Sequence, residues 1–200
     1  YKKVNLKNAM NKLSLIIAFI LLIGCGKRSR VENDIQLLHS QPIKLPLNKM
    51  ICLKDGQDTT VKENSNATLK QVVFIDSTLC SSCMWKDLVK WNPVIYDIKQ
   101  YNNKIGIYFI FQPLSFKREE LRLAMRTKKG VDSHVYIDTT NVFLAKNSNI
   151  SKSSWLHTFL LDEQNNVILV GDPTNNSRIR KLFWRIVKEK LGEPKDSVGR

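Results

Sequence analysis

The chain has 200 residues, of which 42% are hydrophobic and 25% are charged, the composition of a folded globular protein and not of a disordered one. This length provides one domain of ordinary size plus extra segments, with a core that needs no covalent staples. The formal charge is +14, and four of the 32 basic residues are lysines in an acid-free stretch before residue 25. The charge favours anionic surfaces in general. No nucleic-acid-binding motif accompanies it, so we predict no nucleic-acid partner.

Residues 1–24 are typical of an export signal, with Met10 as the expected start because the signal is complete without residues 1–9. A basic residue, Lys12, precedes an apolar stretch of about eleven residues, too short to cross a bilayer core as a helix. Residues 22–25, LIGC, resemble a bacterial lipobox, which is cleaved before its cysteine. The resemblance implies acylation (palmitate) of Cys25 and a lipoprotein in the cell envelope, in the periplasm. The alternative is a short uncleaved anchor.

The four cysteines of the chain have different expected roles in an oxidising compartment. Cys25 is the lipid attachment site, and Cys80 and Cys83 are close enough in sequence to form a disulfide. Cys52 lies in a short apolar run, KMICLKDG, and is expected to be a buried, inert thiol because a free cysteine behaves as a small hydrophobe.

The segment before the main domain divides into two parts by composition. Residues 25–40 are polar and are expected to form a lipidated tether. Residues 41–67 are expected to form an N-terminal β extension and a loop, with two β-like runs near residues 43–53 and a turn-rich loop over residues 55–68. The domain itself is predicted over residues 68–192, followed by a tail over residues 193–200.

The predicted domain begins with alternating strands and helices. Val72–Ile75 is a continuous apolar run typical of a strand buried on both faces. Apolar residues then recur at helical spacing from residue 84 to residue 98, with Pro93 expected to kink or restart that helix. A second buried strand is predicted over residues 104–112, and a short helix over residues 117–130 that ends at Gly130.

The second half of the domain is predicted to close with a β-hairpin and a helix. A short strand and a turn are expected in residues 133–147. Two β runs separated by an Asn-containing turn predict an antiparallel hairpin over residues 156–172. An apolar stripe in residues 177–192 predicts an amphipathic helix whose basic face is solvated. Alternating strands and helices imply parallel pairing and the hairpin adds antiparallel strands, so the sheet is predicted to be mixed.

The stretch DSTLCSSCMWKDL places a C-x-x-C pair, Cys80 and Cys83, between a buried strand and a helix. With the crossover and the terminal hairpin and helix, this order over residues 68–192 resembles the thioredoxin fold, and with the lipobox it is similar to bacterial envelope-anchored thioredoxin-like lipoproteins. The resemblance implies an α/β, three-layer sandwich with a central mixed sheet, preceded by the lipoprotein signal and a short N-terminal β extension.

A cysteine at the start of a helix is a good nucleophile, because the unpaired N–H groups and the helix dipole stabilise its thiolate. Cys80 is therefore expected to attack a disulfide in a partner, and Cys83, one turn later, to resolve the mixed disulfide. The function predicted is that of a membrane-anchored thiol–disulfide oxidoreductase without a cofactor or metal. Its expected partners are protein thiols or disulfides of other envelope proteins, with the membrane contacted through the lipid on Cys25.

The chain departs from the thioredoxin-like pattern at two places. Leu79 stands where an aromatic residue usually precedes the first cysteine, and no proline occurs between residues 114 and 172. The cis-proline that normally faces the cysteines is replaced, by alignment of HTFLLD with the family's strand, by Leu156 or Trp155. Because a non-proline cis bond costs about 2.5–4 kcal/mol, a trans bond is expected here.

Two alternatives to the oxidoreductase stay open. The first is a non-catalytic binding or scaffold lipoprotein in which Cys80–Cys83 is a structural disulfide. The second is a copper-handling chaperone, in which His157 or His134 would join the two thiolates as a third ligand. Three aspartates near strand ends, Asp76, Asp138 and Asp162, are expected to serve as turn or cap residues.

Overall fold

The computed structural model describes residues 30–60, 67–76, 88–112, 122–123, 125–126 and 130–194. Residues 30–39 are helical and are called α1, and residues 122–123 and 125–126 are also helical. The other elements, in chain order, are β1 (Ile51–Lys54), β2 (Gln57–Thr59), β3 (Leu69–Ile75), α2 (Asn92–Lys99), β4 (Ile105–Phe111), β5 (Val135–Ile137), α3 (Val142–Lys146), β6 (Thr158–Leu161), β7 (Val167–Val170) and α4 (Ser177–Leu191).

The strands form one mixed sheet in the order β2-β1-β5-β4-β3-β6-β7. Strands β3, β4 and β5 run parallel, and the other neighbours pair antiparallel. The central strands are continuous apolar runs because both of their faces are covered. The carboxyl ends of β3, β4 and β5 therefore share one edge of the sheet, and the amino end of β6 meets that edge because Thr158 pairs with Val73.

Helices cover both faces of the sheet, which gives three layers. On one face, α2 and α4 pack against β3 and β4, with Trp91, Phe109 and Phe183 among the buried side chains. On the other face, α1 and α3 contribute Leu38 and Phe143 to a second cluster. The predicted α/β three-layer sandwich with a mixed sheet is thus confirmed.

The helix that leads into α2 is interrupted, as Pro93 predicts. Residues 88–89 are helical, residues 90–91 form a turn, and α2 starts at Asn92 with the proline in its first turn. Proline is tolerated there because the first N–H groups of a helix have no internal partner. The break turns the buried ring of Trp91 edge-on towards Phe109, with their centroids 5.9 Å apart.

Two segments before β3 differ from the sequence prediction. Part of the stretch interpreted as a tether, residues 30–39, is helical, and Leu38 is fully buried because the apolar spacing fits the sheet face. The buried Asn149 side chain donates to the Leu38 and Gln41 carbonyls, both at 3.0 Å, and holds this segment on the body.

The loop predicted over residues 55–68 contains strand β2, which pairs with β1. Its three residues are all exposed, so no apolar pattern marks them. Asp55 and Gly56 join the two strands with φ of 50° and 73°, the left-handed backbone that two-residue hairpin turns require. Within the part of the chain that the structure describes, no helix combines the length and apolarity needed to span a bilayer.

Candidate functional site

The predicted cysteines Cys80 and Cys83, and the predicted lipid site Cys25, lie outside the described residues. The residues on either side of the C-x-x-C segment are described. Asp76 follows β3 directly, and Leu88 begins the described helical residues before α2. These two residues mark where the segment leaves and rejoins the fold.

A cleft of about 350 Å³ lies at this edge of the sheet. Its apolar wall includes Ile75, Leu88 and the buried Trp91, and its polar rim includes Asp172 and Asn175, the latter accepting a hydrogen bond from Lys90 at 3.2 Å. Trp155, in the turn before β6, also lines the cleft with 54% of its surface exposed. The cleft thus combines an apolar floor with one accessible aromatic side chain.

His157 joins the turn before β6 to the end of β3. Its carbonyl accepts from the Phe74 N–H at 2.9 Å, and its ring lies against the Phe74 ring with centroids 5.0 Å apart. Nε2 lies 2.8 Å from the carbonyl oxygen of Ser151. Because a carbonyl only accepts, Nε2 carries the proton in this arrangement.

The second ring nitrogen of His157 points towards Asp76. Nδ1 is 3.4 Å from Asp76 Oδ2, and it is buried without a hydrogen bond. The two side chains are 4% and 13% exposed. Burial lowers the pKa of His157 below its usual value of 6.5, while the Ser151 carbonyl and the Asp76 carboxylate act in the opposite direction. The outcome is a neutral imidazole beside a carboxylate near pH 7.

The residue that immediately precedes β6 is His157 and not Leu156 or Trp155, because β6 begins at Thr158 and residues Ser154–Leu156 form a 3₁₀ turn. The alignment made from the sequence was therefore wrong by one or two positions at this turn. No peptide bond among the described residues is cis, in agreement with the trans bond expected.

Two of the three aspartates are turn or cap residues, as predicted. The Asp138 carboxylate accepts from the N–H groups of Val142 and Phe143 at 2.9 and 2.8 Å, at the start of α3. Asp162 accepts from the Asn166 N–H at 2.8 Å and its side-chain amide at 3.0 Å, in the β6–β7 turn. Asp76 differs because its Oδ2 faces a histidine.

Cys52 is a buried free thiol, as the sequence predicts. Burial raises its pKa to about 11, although a hydrogen bond with Tyr136 acts in the opposite direction. The thiol is therefore protonated at neutral pH and does not act as a nucleophile.

The two histidines weighed as metal ligands are placed unfavourably for that role. His134 precedes β5 at the opposite end of the sheet from Asp76, in a second cleft of about 470 Å³ that Lys99 and Asp132 also line. His157 already donates through Nε2 and is nearly sealed from solvent. Among the described residues, no group of three or more His, Cys, Asp or Glu side chains is arranged to hold a metal ion.

No family model and no curated protein matches the chain. Similar solved structures include a thioredoxin-like protein from Bacteroides caccae (16% identity, TM-score 0.44), covering 79% of this chain, which spans 55% of that structure. A thiol:disulfide interchange protein from Bacteroides sp. has 13% identity and a TM-score of 0.47, with 80% and 96% covered. Arabidopsis thaliana ScoI with copper bound has 16% identity and a TM-score of 0.45, with 76% and 97% covered. The thioredoxin-like fold class is thus shared, at low identity.

Sequence reasoning missed the pairing of Asp76 with His157 and the position of Trp155 in the cleft. The two members of the pair are far apart in the chain, and a one-residue uncertainty in the start of β6 changes which side chain faces β3. The local signal was the polar residue at the boundary of an apolar run, which marks a strand end but names no partner.

Proposed function

We propose that the chain is a membrane-anchored thiol–disulfide oxidoreductase that uses the pair Cys80 and Cys83. The observation that carries the proposal is the position of the C-x-x-C segment between Asp76, at the carboxyl end of the central strand β3, and Leu88, which lines the cleft. Since a chain spans at most about 3.6 Å per residue, Cys80 lies within about 14 Å of Asp76, and Cys83 within about 18 Å of Leu88, between Cα atoms.

The proposed reaction is an exchange of two electrons and two protons with a partner protein. The Cys80 thiolate attacks one sulfur of the partner's disulfide, so that a mixed disulfide forms and the other partner sulfur leaves as a thiolate, which takes up a proton. Cys83 then loses its proton and attacks the Cys80 sulfur, and the partner's second thiolate leaves and is protonated. The partner ends as a dithiol and Cys80–Cys83 as a disulfide. The reverse sequence oxidises a partner.

The neighbouring cleft supports a protein partner. Its apolar floor and the exposed Trp155 provide contact area for an apolar side chain next to a disulfide, while Asp172 and Asn175 provide polar contacts at the rim. Aromatic side chains of this kind are enriched at sites of protein recognition.

The proposal is tested by insulin reduction with the full chain in detergent micelles and dithiothreitol as the electron source. We expect Cys80→Ser to lower the rate to that of dithiothreitol alone. Cys52→Ala is the matched control and should keep the parental rate, because that thiol is buried and protonated. A Cys80→Ser protein that reduces insulin as fast as its parent would sink the proposal.

The lipid anchor on Cys25 is a separate part of the proposal, and the lipobox-like LIGC motif supports it. Cells fed labelled palmitate should label the parent chain, and Cys25→Ser should abolish the label. The variant should still reduce insulin, because the anchor is distant in sequence from the exchange chemistry. Equal labelling of parent and variant would remove the anchor from the proposal.

A second candidate is a binding or scaffold lipoprotein with a structural Cys80–Cys83 disulfide. The trans peptide at His157, in the turn where thioredoxin-like enzymes have a cis-proline, favours it. The reduction potential discriminates the two functions. A value below about −300 mV, typical of disulfides that resist the glutathione pool, supports the scaffold, and a higher value supports exchange.

A further inference from the structure

The buried imidazole of His157 leaves one nitrogen without a hydrogen bond at the end of β3. With the Nε2 proton donated to Ser151, the neutral ring presents a lone pair on Nδ1. The nearest ionisable atom, Asp76 Oδ2, is also an acceptor when the carboxylate is ionised, and it lies at 3.4 Å. This separation exceeds the 2.7–3.2 Å of an N–H···O hydrogen bond. Two acceptors therefore face each other in a nearly dry contact.

One added proton resolves this contact. Placed on Nδ1, it creates an Nδ1–H···Oδ2 hydrogen bond that ties the end of β3 to the turn before β6, and it changes the charge of the pair from −1 to zero. We propose that Asp76 and His157 form a proton-linked positioning pair that sets the pH dependence of thiolate formation at Cys80. This inference rests on the proposed exchange function and adds a control of its pH range.

The charge of the pair reaches Cys80 because the chain is short there. At a separation of about 10 Å, set by the four-residue connection from Asp76, and an effective dielectric constant near 20, an unpaired carboxylate raises a thiol pKa by about one unit. Protonation of His157 compensates that carboxylate and so favours the thiolate. By linkage, formation of the thiolate must favour proton uptake by the pair to the same extent.

The other charged side chains around the turn have separate positions or partners. They are Asp34 on α1, Asp138 after β5, Lys152 in the turn, Asp172 after β7 and Lys90 before α2. Asp34 accepts from the Ser153 hydroxyl at 3.3 Å, Asp138 accepts from α3 N–H groups, and Asp172 accepts from the Thr174 N–H at 2.7 Å. Lys152 is exposed, and Lys90 donates to Asn175. Asp76 is the carboxylate directed at Nδ1.

The first test observes the pair itself, in the full chain in detergent micelles with ring-labelled histidine. The chain has three histidines, so His157→Gln assigns the signal by its loss. We expect nitrogen chemical shifts of an Nε2–H tautomer at neutral pH and protonation of Nδ1 on acidification. Asp76→Asn should lower the pKa of His157 further because the carboxylate is gone. An Nδ1–H tautomer, or an unchanged His157 pKa in Asp76→Asn, would overturn the pair.

The second test observes the coupling, as the rate of Cys80 alkylation by iodoacetamide across pH. In the parent the profile should have an added inflection at the pH where His157 titrates. Both Asp76→Asn and His157→Gln should remove that inflection. At neutral pH, Asp76→Asn should alkylate about three- to tenfold faster, as expected for a thiol pKa lowered by up to about one unit. The matched charge removal Asp162→Asn, in the β6–β7 turn, should keep the parental profile.

The two tests separate failure of the inference from failure of the proposed function. If Asp76→Asn has the parental profile while Cys80 is reactive, the positioning role is overturned and exchange chemistry stands. If Cys80 is unreactive at every pH, the exchange function and the coupling both fail. The nitrogen shifts then still decide whether Asp76 and His157 share a proton-linked contact.

Discussion

Two aspartates end neighbouring regions of the same sheet edge and are used in opposite ways. Asp138, after β5, is 1% exposed, and its carboxylate accepts from the N–H groups of Thr140, Val142 and Phe143 at 3.3, 2.9 and 2.8 Å. Asp76, after β3, directs Oδ2 at the unprotonated nitrogen of His157. A buried carboxylate matched by fixed donors stabilises the fold, whereas one that faces a second acceptor makes its surroundings sensitive to pH.

The same substitution at the first position should have the largest effect on stability. In Asp138→Asn, the amide NH₂ cannot accept from the N–H groups of Val142 and Phe143, so at least one buried donor is left unpaired. We expect a loss of about 2–3 kcal/mol in the free energy of unfolding, measured by urea titration. A loss below about 0.5 kcal/mol would contradict the structural role of this carboxylate.

The pH dependence of stability should follow His157 next. Its pKa in the folded chain lies below 6.5, so the unfolded chain binds the proton more tightly. The stability contributed by the neutral ring is therefore fully present above about pH 6.5 and is lost as the pH falls towards the folded-state pKa. His157→Gln should lose less stability than its parent between pH 7 and pH 5 in urea titrations. Equal losses in parent and variant would refute the assignment.

Asp162 should show a smaller effect, because its turn is at the surface. Asp162→Ala removes two hydrogen bonds to Asn166 in the β6–β7 turn, and water can replace both. We expect the free energy of unfolding to fall by about 1 kcal/mol. A loss as large as that of Asp138→Asn would mean that burial does not separate these two sites.

Asp76→Asn should change stability least at pH 7. The asparagine amide can donate to Nδ1 of His157, so a facing pair of acceptors becomes a donor and an acceptor. We expect a change within about 0.5 kcal/mol of the parent in urea titrations. Destabilisation comparable to that of Asp138→Asn would show that Asp76 is a cap as well, and the contrast between the two carboxylates would disappear.

The core of the fold was predictable because its signals are local and periodic. The apolar runs at β3 and β4 and the stripe on α4 marked their elements, and Pro93 marked the restart at α2. Strand β2 was missed because its three residues are polar and exposed, and it forms only through pairing with β1. Helix α3 was missed because five residues carry little periodicity and its N-terminus depends on the carboxylate of Asp138.

The site was less predictable than the fold because its contacts join distant parts of the chain. The C-x-x-C spacing names candidate thiols without a partner structure. The partners of His157 are Ser151, in the same turn, and Asp76, in another strand, and neither contact follows from a sequence pattern. Thus the sequence predicts which residues carry chemistry, while the fold determines which groups surround them.

The division of labour between Cys80 and Cys83 is tested most directly by trapping the mixed disulfide. Without the resolving thiol, Cys83→Ser should accumulate a covalent adduct with a disulfide-containing protein such as insulin, seen by intact mass spectrometry and joined through Cys80. Cys80→Ser should form no such adduct, and dithiothreitol should release the one formed by Cys83→Ser. Absence of an adduct in Cys83→Ser, or equal adducts in both variants, would contradict the proposed exchange.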